Sequence, residues 1–300
     1  MRIGFVGAGK VGCALALHLS RSASVTISGF ASRSANSAKA AADALHVKAF
    51  HTFEDAVVNS DMLLITTPDD AIASVWHQLQ AIPGLPDQGH VAGSPAVSGM
   101  SIGHCSGCLS SAVFDGAKQL GVSAFSMHPM QAVSQRFMHD GNGHPQDQLD
   151  RAFFALEGDP RVTEMLVQTL ARLGNPNRII RPEDKTKYHA AASLAANLPI
   201  ALWNMAVTTL QDCGFTESAA REALSGMIRH NADSFCERGA KSALTGPVER
   251  ADCGTVTAHL DVLPPETAEA YRVLSRALLP VAAAKNPNRD YRQLNDLLHN

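Results

Sequence analysis

Short apolar runs alternate with helix-period segments through the first half of the chain. Arg2–Val6 is followed by Lys10–Ser20, Val25–Phe30 by Ala35–Leu45, and Asp61–Thr66 by Asp70–Leu79. That alternation predicts a βαβαβ unit and a parallel sheet. Further strands are predicted at His90–Ala92, Ser123–Met127, Phe153–Leu156 and Arg178–Ile180, with a turn-rich segment over Met138–Gln148. After Pro182 the pattern is helical throughout: Glu183–Cys213 interrupted at Pro199, then Thr216–Arg238, Thr255–Leu263 and Pro265–Lys285. Gly214 reads as a C′ residue, Thr216 as an N-cap, and Gly246-Pro247 as a break. The expected organisation is an α/β domain over 1–182 and an all-α domain over 183–300. No internal repeat or low-complexity segment interrupts it.

Composition narrows the function. A chain of 300 residues with 45% hydrophobic and 18% charged residues is globular, neither disordered nor fibrous. Its net charge of -3 gives no basic surface for nucleic acid or an anionic membrane, so a small-molecule partner is expected. The six cysteines (Cys13, Cys105, Cys108, Cys213, Cys236, Cys253) suggest no disulfide framework, and with no secretory segment recognised a cytoplasmic location is expected. The stretch His189–Gln211 has no Asp, Glu, Lys or Arg and could pass for a membrane span. Asn197, Pro199, Asn204 and many alanines favour instead a helix buried between domains or subunits.

Gly7-Ala8-Gly9-Lys10-Val11-Gly12 fits the G-x-G-x-x-G dinucleotide pattern. The pattern is weak alone, but here it follows a buried strand and opens an apolar helix, so that helix would aim its free N–H groups at a pyrophosphate. This is the signature of a Rossmann domain. Gly7 is assigned the tight turn, Gly9 the close approach of phosphate, and Gly12 helix-to-sheet packing. The second strand runs into Ser32-Arg33-Ser34, and no Asp or Glu occurs from Met1 to Ala42. A cation with two hydroxyls suits a 2′-phosphate, so NADP is expected over NAD. The alternative is an ordinary surface arginine. The third strand, ending at Thr66, runs into Thr67-Pro68-Asp69-Asp70, which either line the cofactor cleft or merely stop the strand and start a helix.

Six further segments follow in order: His104-Cys105-Ser106-Gly107, His128-Pro129-Met130-Gln131, Leu156-Glu157-Gly158-Asp159, Lys185-Thr186-Lys187-Tyr188-His189-Ala190-Ala191, Leu244-Thr245-Gly246-Pro247 and Thr255-Val256-Thr257-Ala258-His259-Leu260. Together they resemble a group of Rossmann-like proteins whose C-terminal half is a domain of unknown function, provisionally labelled NADP oxidoreductases. These are similar to 6-phosphogluconate dehydrogenase, 3-hydroxyisobutyrate dehydrogenase, pyrroline-5-carboxylate reductase and the deazaflavin-dependent NADP oxidoreductases. The resemblance runs from about Arg2 to Leu274. It departs at Cys108, where a small residue is usual, at Ala251, where glycine is usual, and in the length of Met138–Gln148. It implies a Rossmann domain followed by a helical domain of the 6-phosphogluconate dehydrogenase type that commonly forms homodimers.

Lys185 and His189, four residues apart, share one helix face with Tyr188 adjacent, while Lys187 points away. By the resemblance, Lys185 is the candidate general acid/base beside the nicotinamide and His189 its partner. The plainer alternative is a solvated first-turn lysine and a core histidine. His128 and the Ser106-Gly107 turn either line the substrate pocket or are structural. Asn197, next to the Pro199 kink, either binds substrate or satisfies freed backbone carbonyls. Cys105 and Cys108 form a lone C-x-x-C, poor evidence for zinc, and both are expected to be dispensable. The expected function is hydride transfer between NADPH and a small oxo or imino substrate held between the domains. The competing one is a non-catalytic NADP-binding sensor or dimeric scaffold.

Overall fold

The computed structural model describes residues 1–83, 96–139 and 145–299. The strand expected at His90–Ala92 and much of the Met138–Gln148 turn region lie outside them. Two compact units emerge, Met1–Ala196 and Asn197–Asn300, and the helix that opens at Lys185 belongs to the first.

Among the described residues the first unit has ten strands: β1 (Arg2–Val6), β2 (Thr26–Ala31), β3 (Lys48–Ala49), β4 (Met62–Ile65), β5 (Ser101–His104), β6 (Ser123–Pro129), the short antiparallel pair β7 (Met138–His139) and β8 (Pro145–Gln146), β9 (Phe154–Gly158) and β10 (Asn177–Ile179). Eight of them form one sheet in the order β10-β9-β6-β5-β4-β1-β2-β3. Pairing is parallel except between β6 and β9, so β9 and β10 run against the rest. The chain leaves β1 toward β2 and β3 on one side and returns to β4 on the other, which makes the β1/β4 boundary the switch point where ligands of such sheets bind.

Register sets the cleft. Val6 stands level with Ala31 on β2 and Ile65 on β4, so the segments beginning at Gly7, Ser32 and Thr66 emerge together. Helices α1 (Lys10–Ser20), α2 (Ala35–Leu45) and α5 (Pro160–Arg172) cover one face of the sheet, packing Leu15, Leu19, Ala38, Ala42 and Leu166 against Ile3, Phe5 and Phe30. Helices α3 (Phe53–Val58) and α4 (Asp69–Gln80) cover the other through Ala56, Ile72, Trp76 and Leu79. The central strands β1 and β4 thus bury both faces, which is why the sequence presents apolar runs there instead of alternation. The sequence pattern passed over α5, whose Asp159-Pro160 start looks like a turn. In fact Asp159 caps the helix, accepting from the Arg161 N–H, and Pro160 occupies a first-turn position where no amide partner is needed.

The connection from β6 to β9 is anchored at its far end. Asp147 accepts from Arg21 and lies 2.8 Å from Nδ1 of the fully buried His18 at the end of α1.

The second unit is helical: α7 (Leu198–Asp212), α8 (Glu217–Ala243), α9 (Pro247–Arg250), α10 (Cys253–Val262), α11 (Pro265–Lys285) and α12 (Arg292–His299), following α6 (Lys185–Ala196) of the first unit. Thr216 caps α8 by accepting from the Ala219 N–H, and Gly214 takes the left-handed conformation after α7. A small core of Val248, Val256, Leu294 and Leu298 holds the helices. Leu198, Ile200, Leu202 and Trp203 of α7 remain exposed, so this chain alone does not bury the apolar helix as the sequence suggested. Residues 182–212 are long and apolar enough to cross a membrane by length and composition.

Candidate functional site

A cavity of about 740 Å³ opens at the carboxyl ends of β1, β2 and β4. Gly7, Ala8, Gly9, Ser32, Arg33, Ser34, Thr66, Thr67 and Pro68 line it, as the sequence leads one to expect of a cofactor cleft. Lys10, Val11, Gly12 and Asp69 do not line it. Lys10 and Val11 begin α1. Gly12 is a packing glycine: an added Cβ would sit 2.4 Å from Thr66 Oγ1 and 2.8 Å from the Gly7 carbonyl oxygen. Gly7, at φ +115°, is closed in by the Thr66 backbone at 2.8 Å, whereas a Cβ on Gly9 would meet only the Thr66 carbonyl at 3.9 Å. The three glycines therefore differ physically. Only at Gly9 does the missing side chain leave space that a ligand could take.

Asp70, from the segment expected at this edge, lines the cavity too, and so do residues the sequence did not single out: Ser37, Ser74, Gln78 and Arg136. Those of α4 share one face of that helix, a signal present in their spacing. Arg136 comes from the β6–β9 connection, where no local pattern marks it.

The buried Thr67 Oγ1 has no hydrogen-bond partner among the described residues. A lone buried hydroxyl costs about 1–3 kcal/mol unless a ligand satisfies it. With the open face at Gly9 and the cations at Arg33 and Arg136, this orphan fits a bound dinucleotide. Thr67→Val is therefore expected to raise the melting temperature without nucleotide while weakening nucleotide binding, measured by thermal unfolding and titration calorimetry. A variant that loses stability and binds as before would refute this role.

Along the same sheet edge, beyond β5 and β6, lies a second cluster. Lys185 opens α6 and is 1% exposed; its Nζ donates to the Ser106 carbonyl at 2.7 Å and to Ser126 Oγ at 2.6 Å. Ser126 stands in register between His104 on β5 and Glu157 on β9. Burial pushes the Lys185 ammonium down to about 8, against the support of Glu157 and Asp69. The buried Glu157 accepts from the Ser111 amide and hydroxyl. His104 is buried too, which lowers it to about 4. In that neutral ring Nδ1 accepts from the Ser106 N–H, so Nε2–H donates to the Ser110 carbonyl.

Ser106 is occupied on every side. Its hydroxyl donates to Asp69 at 2.6 Å and accepts from the Cys108 and Leu109 amides, while its carbonyl holds Lys185. It fixes a turn, the structural role that the sequence left open beside a pocket role. Of the two aspartates expected at this edge, Asp69 is spent on the same turn and Asp70 lines the cleft. Gly107 is glycine because two imidazoles pack on it: a Cβ would lie 2.4 Å from His189 Nδ1 and 3.0 Å from His128 Nε2. His128 Nδ1 lies 2.8 Å from the Tyr188 hydroxyl, and the His128 and His189 rings meet edge to face at 5.8 Å. Burial lowers His128 to about 4, Lys185 adding to the effect, and raises Tyr188 to about 12, so both are neutral near pH 7. His189 Nδ1 is buried without a hydrogen-bond partner among the described residues. Lys187 is exposed, and so is Asn197, the first residue of the second unit.

The cysteines have structural surroundings. Cys105 Sγ points at the Ile65 carbonyl and burial pushes its thiol up to about 12; Cys108 Sγ lies 3.8 Å from Thr186 Oγ1. No group of three or more metal-ligating side chains occurs among the described residues.

Two family models match this architecture. The model described as NADP oxidoreductase, coenzyme F420-dependent, covers residues 2–88, and the Domain of unknown function (DUF2520) covers residues 152–278. The chain thus resembles an NADP-oxidoreductase segment joined to a DUF2520 segment. Solved structures of similar fold include protein TM1727 from Thermotoga maritima, with 22% identity, TM-score 0.67, and coverage of 94% of this chain and 99% of that one. A Bacteroides fragilis protein provisionally named an NADP oxidoreductase has 20% identity and TM-score 0.68, covering 93% and 98%. Plasmodium falciparum pyrroline carboxylate reductase, solved with NADP bound, has 10% identity and TM-score 0.57, covering 95% and 96%. At these identities the likeness is one of fold. No curated protein matches the sequence.

Proposed function

We propose that this protein is an NADP-dependent oxidoreductase that moves a hydride between NADPH and a small oxo or imino substrate. The observation that carries the reading is the buried Lys185 ammonium, with its lowered pKa, set on the same sheet edge as the glycine loop. Gly7, Ala8, Gly9, Thr67, Arg33 and Ser34 would hold the cofactor. Bound there, NADPH supplies the hydride.

The residues of the chain supply position and the proton. Lys185 has three N–H bonds, of which two go to Ser106 and Ser126. The third holds the proton that the substrate's oxygen or nitrogen must gain. Tyr188 and His128, both neutral near pH 7, form a wall beside it, and His189 lies one helical turn from Lys185. This wall orients a substrate without competing for the proton. An imine fits the site because a neutral nitrogen accepts that proton directly, and a pyrroline, named for one structural neighbour, is a cyclic imine. A homodimer through the helical unit belongs to the same reading, supported by the exposed apolar face of α7.

The test is NADPH oxidation across a panel of cyclic imines, ketones and short oxo acids, followed at the cofactor's absorbance. Turnover of at least one class is expected. Tight NADPH binding with no turnover across the panel would favour the sensor or scaffold instead.

A further inference from the structure

We infer that Arg136 is a second arm of the 2′-phosphate site, lining the same cofactor cavity as Arg33, so that two separate segments of the chain discriminate NADP from NAD. This deepens the cofactor reading above and rests on it. Arg33 was legible from its place after β2, where NAD enzymes keep a carboxylate. Arg136 was not. It lies on the connection between β6 and β9, yet its Nη2 donates to Ser37 Oγ at 3.2 Å across 99 residues of sequence.

Ser37 lies in the first turn of α2, and its own amide donates to the capping hydroxyl of Ser34. One contact therefore fixes Arg136 over the α2 N-terminus, where Ser32, Arg33, Ser34, Ser37 and Arg136 share the cavity wall. The bond to Ser37 uses one donor of the fork and leaves the others for the cavity. Two guanidinium groups facing one space repel each other, and the carboxylate that lines the cavity, Asp70, is carried by α4 and not by this wall. A phosphate dianion relieves that repulsion. It also accepts bidentate bonds from planar forks and meets the positive end of the α2 dipole. A 2′-hydroxyl does none of these, so the wall fits the phosphate ester alone.

Adenosine 2′,5′-bisphosphate and 5′-AMP are the probes, titrated calorimetrically into the whole protein, because they differ by the phosphate in question and need neither hydride nor substrate. Arg136→Ala is expected to weaken the bisphosphate about 10- to 100-fold, the usual size of a lost charge-assisted contact, and to leave 5′-AMP within about 2-fold. Arg33→Ala should do the same, and Arg136→Lys should fall between wild type and alanine, because a lysine keeps the charge and loses the fork. The melting temperature without nucleotide should not change, since Arg136 is exposed. If Arg136→Ala binds the bisphosphate normally while Arg33→Ala does not, the inference is wrong and the NADP reading stands. If Arg136→Ala weakens both probes alike, the residue serves the fold or the nucleotide generally and the inference again fails. Equal binding of both probes by the wild-type protein overturns the NADP reading itself.

Discussion

Lys185→Met is expected to remove most turnover of any substrate found, by about 10²–10⁴-fold, the usual contribution of a positioned acid or base. Methionine matches the length and apolar stem of lysine but cannot hold the proton. Nucleotide affinity should change little, because the glycine loop and the two arginines lie on other segments of the sheet edge. Removing a buried cation leaves Glu157 and Asp69 with less compensation, so some loss of stability accompanies the change. Lys185→Arg separates the two effects. It keeps the charge but does not titrate near 8, so the pH profile should lose an inflection that the wild type shows.

The sign of that inflection follows from the direction of the reaction. Reduction needs the ammonium and should fall as pH rises through about 8; oxidation needs the free amine and should rise over the same range. Lys187→Met is the control, since that side chain is exposed. A silent Lys185→Met beside a damaging Lys187→Met would overturn both the helix register and the mechanism.

Gly7→Ala should be the most damaging single methyl group in the cofactor loop. The position has φ +115°, and the new Cβ would lie 2.8–2.9 Å from the backbone of Thr66 and Thr67, which cannot swing aside as a side chain would. Strain and overpacking together cost about 2–4 kcal/mol. For a unit of this size that lowers the melting temperature by roughly 5–15 °C. It also forces β1 and β4 apart where the cofactor site begins, so nucleotide binding should be lost with the stability. Gly9→Ala is the contrast, expected to melt like wild type yet bind nucleotide poorly, because its Cβ projects into open space. Equal loss of stability in both variants, measured by calorimetry, would show that the two glycines do not have these separate roles.

The β1-loop-α1 unit, the capping of α8 and the shared face of Lys185 and His189 were legible in the sequence because each is local. A 3.6-residue period, a capping hydroxyl or a glycine between strand and helix means the same thing wherever the chain goes. The same holds for Arg33, which needs only the end of the second strand to be found. The tertiary structure decided what depends on strand order. It brought Arg136 from the β6–β9 connection to Ser37, and placed Ser126 in register between His104 and Glu157 beneath Lys185. It reversed β9 and β10, and it separated Asp69, spent on the Ser106 turn, from its neighbour Asp70 in the cleft. The physical reason is common to all of these. Periodicity along the chain fixes which face a side chain occupies, but not which other loops reach the same sheet edge, and chemistry at that edge is made by their convergence.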